Sequence, residues 1–133
     1  MGSVNPITME TVKNRLMAIG REMVATMSRT AGTPIYAEIK DFSCGLFDDK
    51  ARQVVYSGMA ITHNLAIQNL VRTTIRVQGD TPGIFDGDVF MGNDPYLGGG
   101  IHAMELGLAS PVFFGDEIIA WSGSIAHQLD IGG

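Results

Sequence analysis

Apolar residues recur at helical spacing from the start of the chain, with Met9, Val12, Leu16, Ile19, Met23 and Met27 on one stripe. Asn5 precedes the stripe as an N-cap, and Pro6 takes the first helical position, where its missing N–H costs nothing. Gly32 supplies the stop. The pattern predicts one long amphipathic helix over residues 6–30, its methionines filling a core or a subunit seam. The period then changes. "KDFSCGLFDDKARQVVYSG" reads as two strands joined by a polar turn at Asp48–Arg52. "THNLAIQNLVRTTIRVQG" returns to helical spacing through Leu65, Ile67, Leu70, Val71 and Ile75. "GDTPGIFDGD" is a loop, "DVFMGN" a short strand, and "ELGLASPVFFGDEIIAWSGSIAH" a hairpin turning at Gly115-Asp116. Helix, hairpin, helix, strand, hairpin defines an α+β fold with antiparallel hairpins. No repeat, low-complexity tract or linker divides residues 1–133.

Composition narrows the partners. The 133 residues are 45% hydrophobic and 17% charged, enough for one modest core. So little charge hints that other surfaces cover part of this one. The net charge is −5, and the nine Lys and Arg residues are scattered, which argues against nucleic acid and anionic membrane. A lone Cys44 forms no internal disulfide, so a reduced, cytoplasmic setting is the default. No signal-peptide core or bilayer-length apolar run is found. The chain ends on "AHQLDIGG", which reads as the entrance to another element, and we expect a piece of a longer polypeptide or one completed by partners.

The chemistry gathers in the second half, in "NDPYLGGGIHAMELG" and "AHQLDIGG". His102 is followed three residues on by Glu105, and His127 three residues on by Asp130; the two histidines are 25 residues apart and flank the second hairpin. A turn at Gly115-Asp116 brings residues 105 and 127 to one end, where His102, Glu105 and His127 can converge. Two imidazoles and one carboxylate with open positions suit zinc, manganese or iron(II). Residues i and i+3 of a strand point to opposite faces, so His102 and Glu105 need irregular backbone, which Gly98-Gly99-Gly100 permits. The competing reading makes each histidine an ordinary hydrogen-bonded residue. The glycine run lacks either phosphate-cradling pattern. Cys44 reads as buried and inert, and Ser43, Ser122 and Ser124 have no His–Asp partner recognisable from spacing. Asp41 and His63 either line a pocket or cap an element.

"NPITMETVKNRLMAIGREM", "RTAGTPIYAEIKDFSCGLFD", "NDPYLGG", "SPVFF" and "AHQLDIGG" occur in the order seen at the start of the hydantoinase B/oxoprolinase family, which the chain resembles over almost its whole length. The resemblance implies part of a larger metal-binding subunit, working with a hydantoinase A-like subunit or domain that binds ATP and phosphorylates a small-molecule substrate. It implies ATP-dependent hydrolysis of a hydantoin, oxoproline or lactam, or else carboxylation of acetone or acetophenone. A non-catalytic structural subunit with a vestigial site is the third reading. Matched to the family, the metal ligands are His102, Glu105 and His127; His63 matches a further histidine, and Asp130 stands where it could orient His127. Asp41, His63 and Asp130 are the candidate proton shuttles. Two departures stand out: the family usually has Asp where this chain has Glu105, and one extra residue separates "NDPYLGG" from His102. They either adjust the site or break it.

Overall fold

The computed structural model describes residues 4–130; the last three residues of "AHQLDIGG" lie outside them. Helix α1 spans Pro6–Thr30, and Asn5 Oδ1 accepts from the Ile7 N–H at 2.9 Å as its cap. The helix packs on the sheet mainly through its second half. Gly20 is its buried residue, set so close that a Cβ there would stand 2.6 Å from Ser57 Oγ. Met23, Val24 and Met27 pack on Phe42, Cys44 and Ala126. The first turns stand in the open, with Ile7, Met9 and Val12 all exposed. The methionine stripe therefore fills a core at Met23 and Met27 but not at Met9.

A π-helical turn, Ile35–Ile39, follows and was not foreseen; it closes on Lys40, which takes a left-handed φ of 60°. Strands β1 (Phe42–Asp48) and β2 (Gln53–Gly58) form the first hairpin. Asp48 organises its turn, Oδ1 accepting from the N–H groups of Lys50 (3.0 Å) and Arg52 (2.8 Å). Helix α2 covers Ile61–Gln78, β3 Phe90–Gly92, β4 Glu105–Phe114 and β5 Glu117–His127. The β4–β5 turn falls at Gly115-Asp116 as predicted, Gly115 taking a φ of 61°.

The five strands form one antiparallel sheet in the order β2-β1-β5-β4-β3. Alternation divides its faces. Phe47, Ala109, Trp121 and Ile125 pack with Ile67, Leu70 and Val71 of α2, while Phe42, Cys44 and Ala126 lie under α1. This double covering is why β1 is buried along six consecutive residues, Phe42 to Phe47. Gly123 lets α2 approach the sheet, since a Cβ there would come 2.3 Å from Ile67 Cγ2. No helix among the described residues is long and apolar enough to cross a membrane.

Candidate metal centre

Glu105 opens β4 directly opposite His127, the last residue of β5. Opposed residues of an antiparallel pair share a face, here the face under α2. The segment before β4 delivers His102 to the same place. Asp94 bends it, Oδ1 accepting from the N–H groups of Tyr96 (2.7 Å) and Leu97 (3.2 Å). Gly98 and Gly99 then wedge between α2 and β3 with φ of 117° and 98°. Added Cβ atoms would stand 2.2 Å from Leu70 N and 2.2 Å from Gly92 O. A turn in which the Glu105 N–H bonds the His102 carbonyl (3.1 Å) puts both side chains on one side, meeting the demand set by strand geometry.

Five side chains converge here. The rings of His102 and His127 meet edge to face with centroids 5.0 Å apart. His102 Nε2 lies 3.8 Å from Glu105 Oε1, and His63 Nε2 lies 3.0 Å from that same oxygen. Asp41 Oδ1 is 3.7 Å from His63 Nε2, and the Asp41 carbonyl accepts from the His127 N–H at 3.1 Å. Glu105 Oε2 accepts from the Ile101 N–H. Burial divides the group: His63 and Glu105 are 2% and 3% exposed, whereas the His102 and Asp41 side chains are 49% and 38% exposed. The centre therefore has a sealed floor and an open rim.

Ligand atoms each about 2.1 Å from one ion stand roughly 3.0–3.4 Å apart, so the 3.8 Å between His102 and Glu105 is short of a closed shell by a small rotation of an exposed ring. Among the described residues no three His, Cys, Asp or Glu side chains already stand as a finished shell. His127 is prepared differently: its Nδ1 meets the Gln128 carbonyl at 2.7 Å, which leaves Nε2 as the lone-pair nitrogen, the usual second hydrogen bond of a ligating imidazole. Two imidazoles and a carboxylate around an open rim fit a zinc-, manganese- or iron(II)-type ion.

The structure gathers His102, Glu105, His127, His63 and Asp41. Asp130 stands exposed three residues beyond β5, and the carbonyl of Gln128, not foreseen, meets His127 Nδ1. Ser43, to which spacing assigns no partner, meets a histidine. Its Oγ lies 3.1 Å from His63 Nδ1 on the sealed side. No spacing rule links positions 43, 63 and 105, which come from β1, α2 and β4. Ser122 is the β-partner of Leu46 and Ser124 that of Cys44, both away from the centre.

The fold recurs in known proteins. The family model for hydantoinase B/oxoprolinase matches residues 5–133, and the chain belongs to that family. Among its relatives is the caprolactamase subunit beta of Pseudomonas jessenii, 30% identical over all of this chain and 22% of that subunit. The crystal structure of the ATP-dependent caprolactamase from Pseudomonas jessenii superposes with a TM-score of 0.84 over 99% of this chain and 22% of that one, at 30% identity. The nucleotide-free acetone carboxylase structure superposes with a TM-score of 0.87 at 24% identity, over 97% of this chain and 17% of that one, a likeness of fold. The chain thus spans about a fifth of the length of these relatives.

Proposed function

We propose that this chain is the metal-binding part of an ATP-dependent enzyme subunit that opens a cyclic amide: a hydantoin, an oxoproline or a lactam. The observation that carries the reading is the convergence of His102 and His127, ring centroids 5.0 Å apart, on the carboxylate of Glu105. The 30% identity to a caprolactamase subunit favours amide hydrolysis over carboxylation. In this proposal His102, Glu105 and His127 hold manganese or zinc, with iron(II) as the further option. The bound ion supplies Lewis acidity toward an amide carbonyl and activates water near neutral pH.

The chain's own groups divide the remaining work. Asp41, on the rim with its carboxylate 38% exposed, is the group placed to exchange a proton with water or a departing amide nitrogen. Asp130 lies exposed beyond β5 as an outer acid. His63 is closed off, with a partner at each ring nitrogen, and is better placed to hold than to shuttle. A hydantoinase A-like partner binds ATP and activates the substrate by phosphorylation, the remainder of a B-type subunit completes the pocket, and the assembly works in the cytoplasm.

The test uses the intact assembly. Stoichiometric divalent metal, with ATP-dependent turnover of a hydantoin or lactam, is the expected result. Turnover of a ketone with ATP and bicarbonate instead would move the assignment to a ketone carboxylase subunit. No bound metal, together with unchanged activity in His102→Ala, would leave a structural subunit with a vestigial site.

A further inference from the structure

We infer that Ser43 and His63 are positioning residues that hold the Glu105 carboxylate toward His102 and His127; the inference rests on the metal-site reading above. The links are Ser43 Oγ to His63 Nδ1 at 3.1 Å and His63 Nε2 to Glu105 Oε1 at 3.0 Å, while Glu105 Oε2 is held by the Ile101 N–H. A carboxylate only accepts, so Nε2 donates, and in the neutral ring Nδ1 accepts the one proton of Ser43, in preference to the more distant Ala60 carbonyl at 3.4 Å. The chain of three is sealed, with Ser43, His63 and Glu105 at 0%, 2% and 3% exposure.

Three observations favour positioning over plain packing. Buried polar pairs stabilise a fold little better than apolar residues of the same volume, so a core that needed only filling has no use for His63 opposite Glu105. The backbone also leaves room for the hydroxyl: a Cβ on Gly58 would stand 2.4 Å from Ser43 Oγ. The bonded oxygen, Oε1, is the one 3.8 Å from His102 Nε2, so the bond that fixes the carboxylate also fixes what it shows the rim. Glu in place of Asp then acquires a purpose. Its additional methylene, about 1.5 Å of reach, carries the carboxylate to His63 on the far side of the centre.

The experiment uses the full-length subunit assembled with its partner. Mn2+ affinity and the Mn2+ EPR line shape are measured for wild type, His63→Leu, His63→Gln, Ser43→Ala and Ser43→Thr, with Tm recorded for each. We expect His63→Leu to weaken Mn2+ binding by about 10–100-fold and to broaden the EPR spectrum. His63→Gln, which keeps a terminal N–H donor, recovers most of that loss at a similar Tm. Ser43→Ala weakens binding less than His63→Leu, and Ser43→Thr restores it. In a Glu105→Asp background His63→Leu has no further effect, because the shortened arm no longer reaches. Mn2+ affinity that stays at the wild-type value in His63→Leu, or falls equally in Leu and Gln variants in step with Tm, overturns the inference. If wild type binds no Mn2+, the same series is read by Zn2+ and Fe2+ affinity; if it binds none of the three, the metal reading falls, and the relay is judged on metal-free crystal structures. A Glu105 carboxylate displaced in His63→Leu and retained in His63→Gln supports it; one retained in both overturns it. Should His63→Leu fail to fold, the Ser43 pair decides by the same criteria.

Discussion

Glu105 and His127 are registered partners across β4 and β5, and His102 reaches their shared face from a turn. The three arrive by different routes, which separates their roles in stability. His102 is half exposed, so His102→Ala should change unfolding free energy by less than about 0.5 kcal/mol while reducing metal affinity beyond the roughly 10–100-fold typical of an outer partner. His127→Ala should match it in affinity. Glu105→Gln keeps the size but loses the charge, and should weaken metal binding in the same way. Isothermal titration with Mn2+ and Zn2+ on the assembled subunit, beside denaturant unfolding of the apo form, measures both quantities. Unaltered affinity in both histidine variants would remove the metal from this centre.

The glycine run before His102 can be perturbed without touching a ligand. Gly98 has a φ of 117°, and a Cβ there would lie 2.2 Å from Leu70 N and 2.6 Å from the Asn69 carbonyl carbon, both backbone atoms of α2. Backbone cannot step aside as a side chain can, so Gly98→Ala should push the segment off the helix. A cost of about 1–3 kcal/mol is expected, with His102 misplaced and metal affinity reduced in parallel. Gly115, in contrast, meets nothing within 4 Å, so Gly115→Asn should be tolerated in a turn whose φ of 61° Asn also adopts. Unfolding curves and metal titrations of the two variants give opposite answers if the wedge matters.

These contrasts show where the sequence was legible. Periods of 3.6 and 2 marked α1, α2 and the hairpins, although β1 is buried on both faces and the apolar stripe of α1 is exposed over its first turns, and Gly115-Asp116 marked its turn because the chain needs a positive φ there. That turn brings residues 105 and 127 to one end, but their direct pairing also needs the bulge between Val112 and Phe113, which shifts the register by one residue and carries no sequence signal. Periodic and turn signals are local. The π-helical turn at Ile35–Ile39 carries no periodic pattern in five residues, and it passed unread. Ser43 and His63 were legible singly but not as partners, since their contact depends on how α2 lies across β1, a tertiary fact set in part by Ile67, one helical turn from His63, packing on Gly123.

Cys44 offers a test of the α1 layer. It is 1% exposed, its Sγ lies 4.0 Å from Met27 Sδ, and burial pushes its thiol up to about 11. Because the thiolate is the reacting species, Cys44 should react with a disulfide reagent at pH 8 only through opening of α1 from the sheet. A rate in folded protein within tenfold of the urea-unfolded rate would contradict this packing. The sign of the linkage follows. The fold retains the thiol proton, so the unfolded chain releases it first, and stability should decline as pH rises from the ordinary value of 9.0 toward about 11. Cys44→Ala should lose that part of the decline.

Asp48 makes the opposite case at the β1–β2 turn. Partial burial works against its charge, but hydrogen bonds from the Arg52 N–H and guanidinium and from the Lys50 N–H, with the Arg52 charge, outweigh it and hold the carboxyl below its ordinary value of 3.8. A depressed carboxylate contributes stability above the unfolded value, and that contribution disappears as pH falls through the folded one. Asp48→Asn keeps an oxygen for the two backbone N–H groups but loses the pairing of Arg52 Nε with Oδ2 at 2.6 Å. Arg52 is largely exposed, so the difference between wild type and Asp48→Asn at pH 7 should be only about 0.2–1 kcal/mol. It should narrow below pH 3.8, and 1 M salt should shrink it at neutral pH because screening reaches an exposed pair. Urea unfolding at pH 7, 5 and 3 measures it, and a gap that stays constant with pH would mean the carboxylate's charge contributes nothing to the turn.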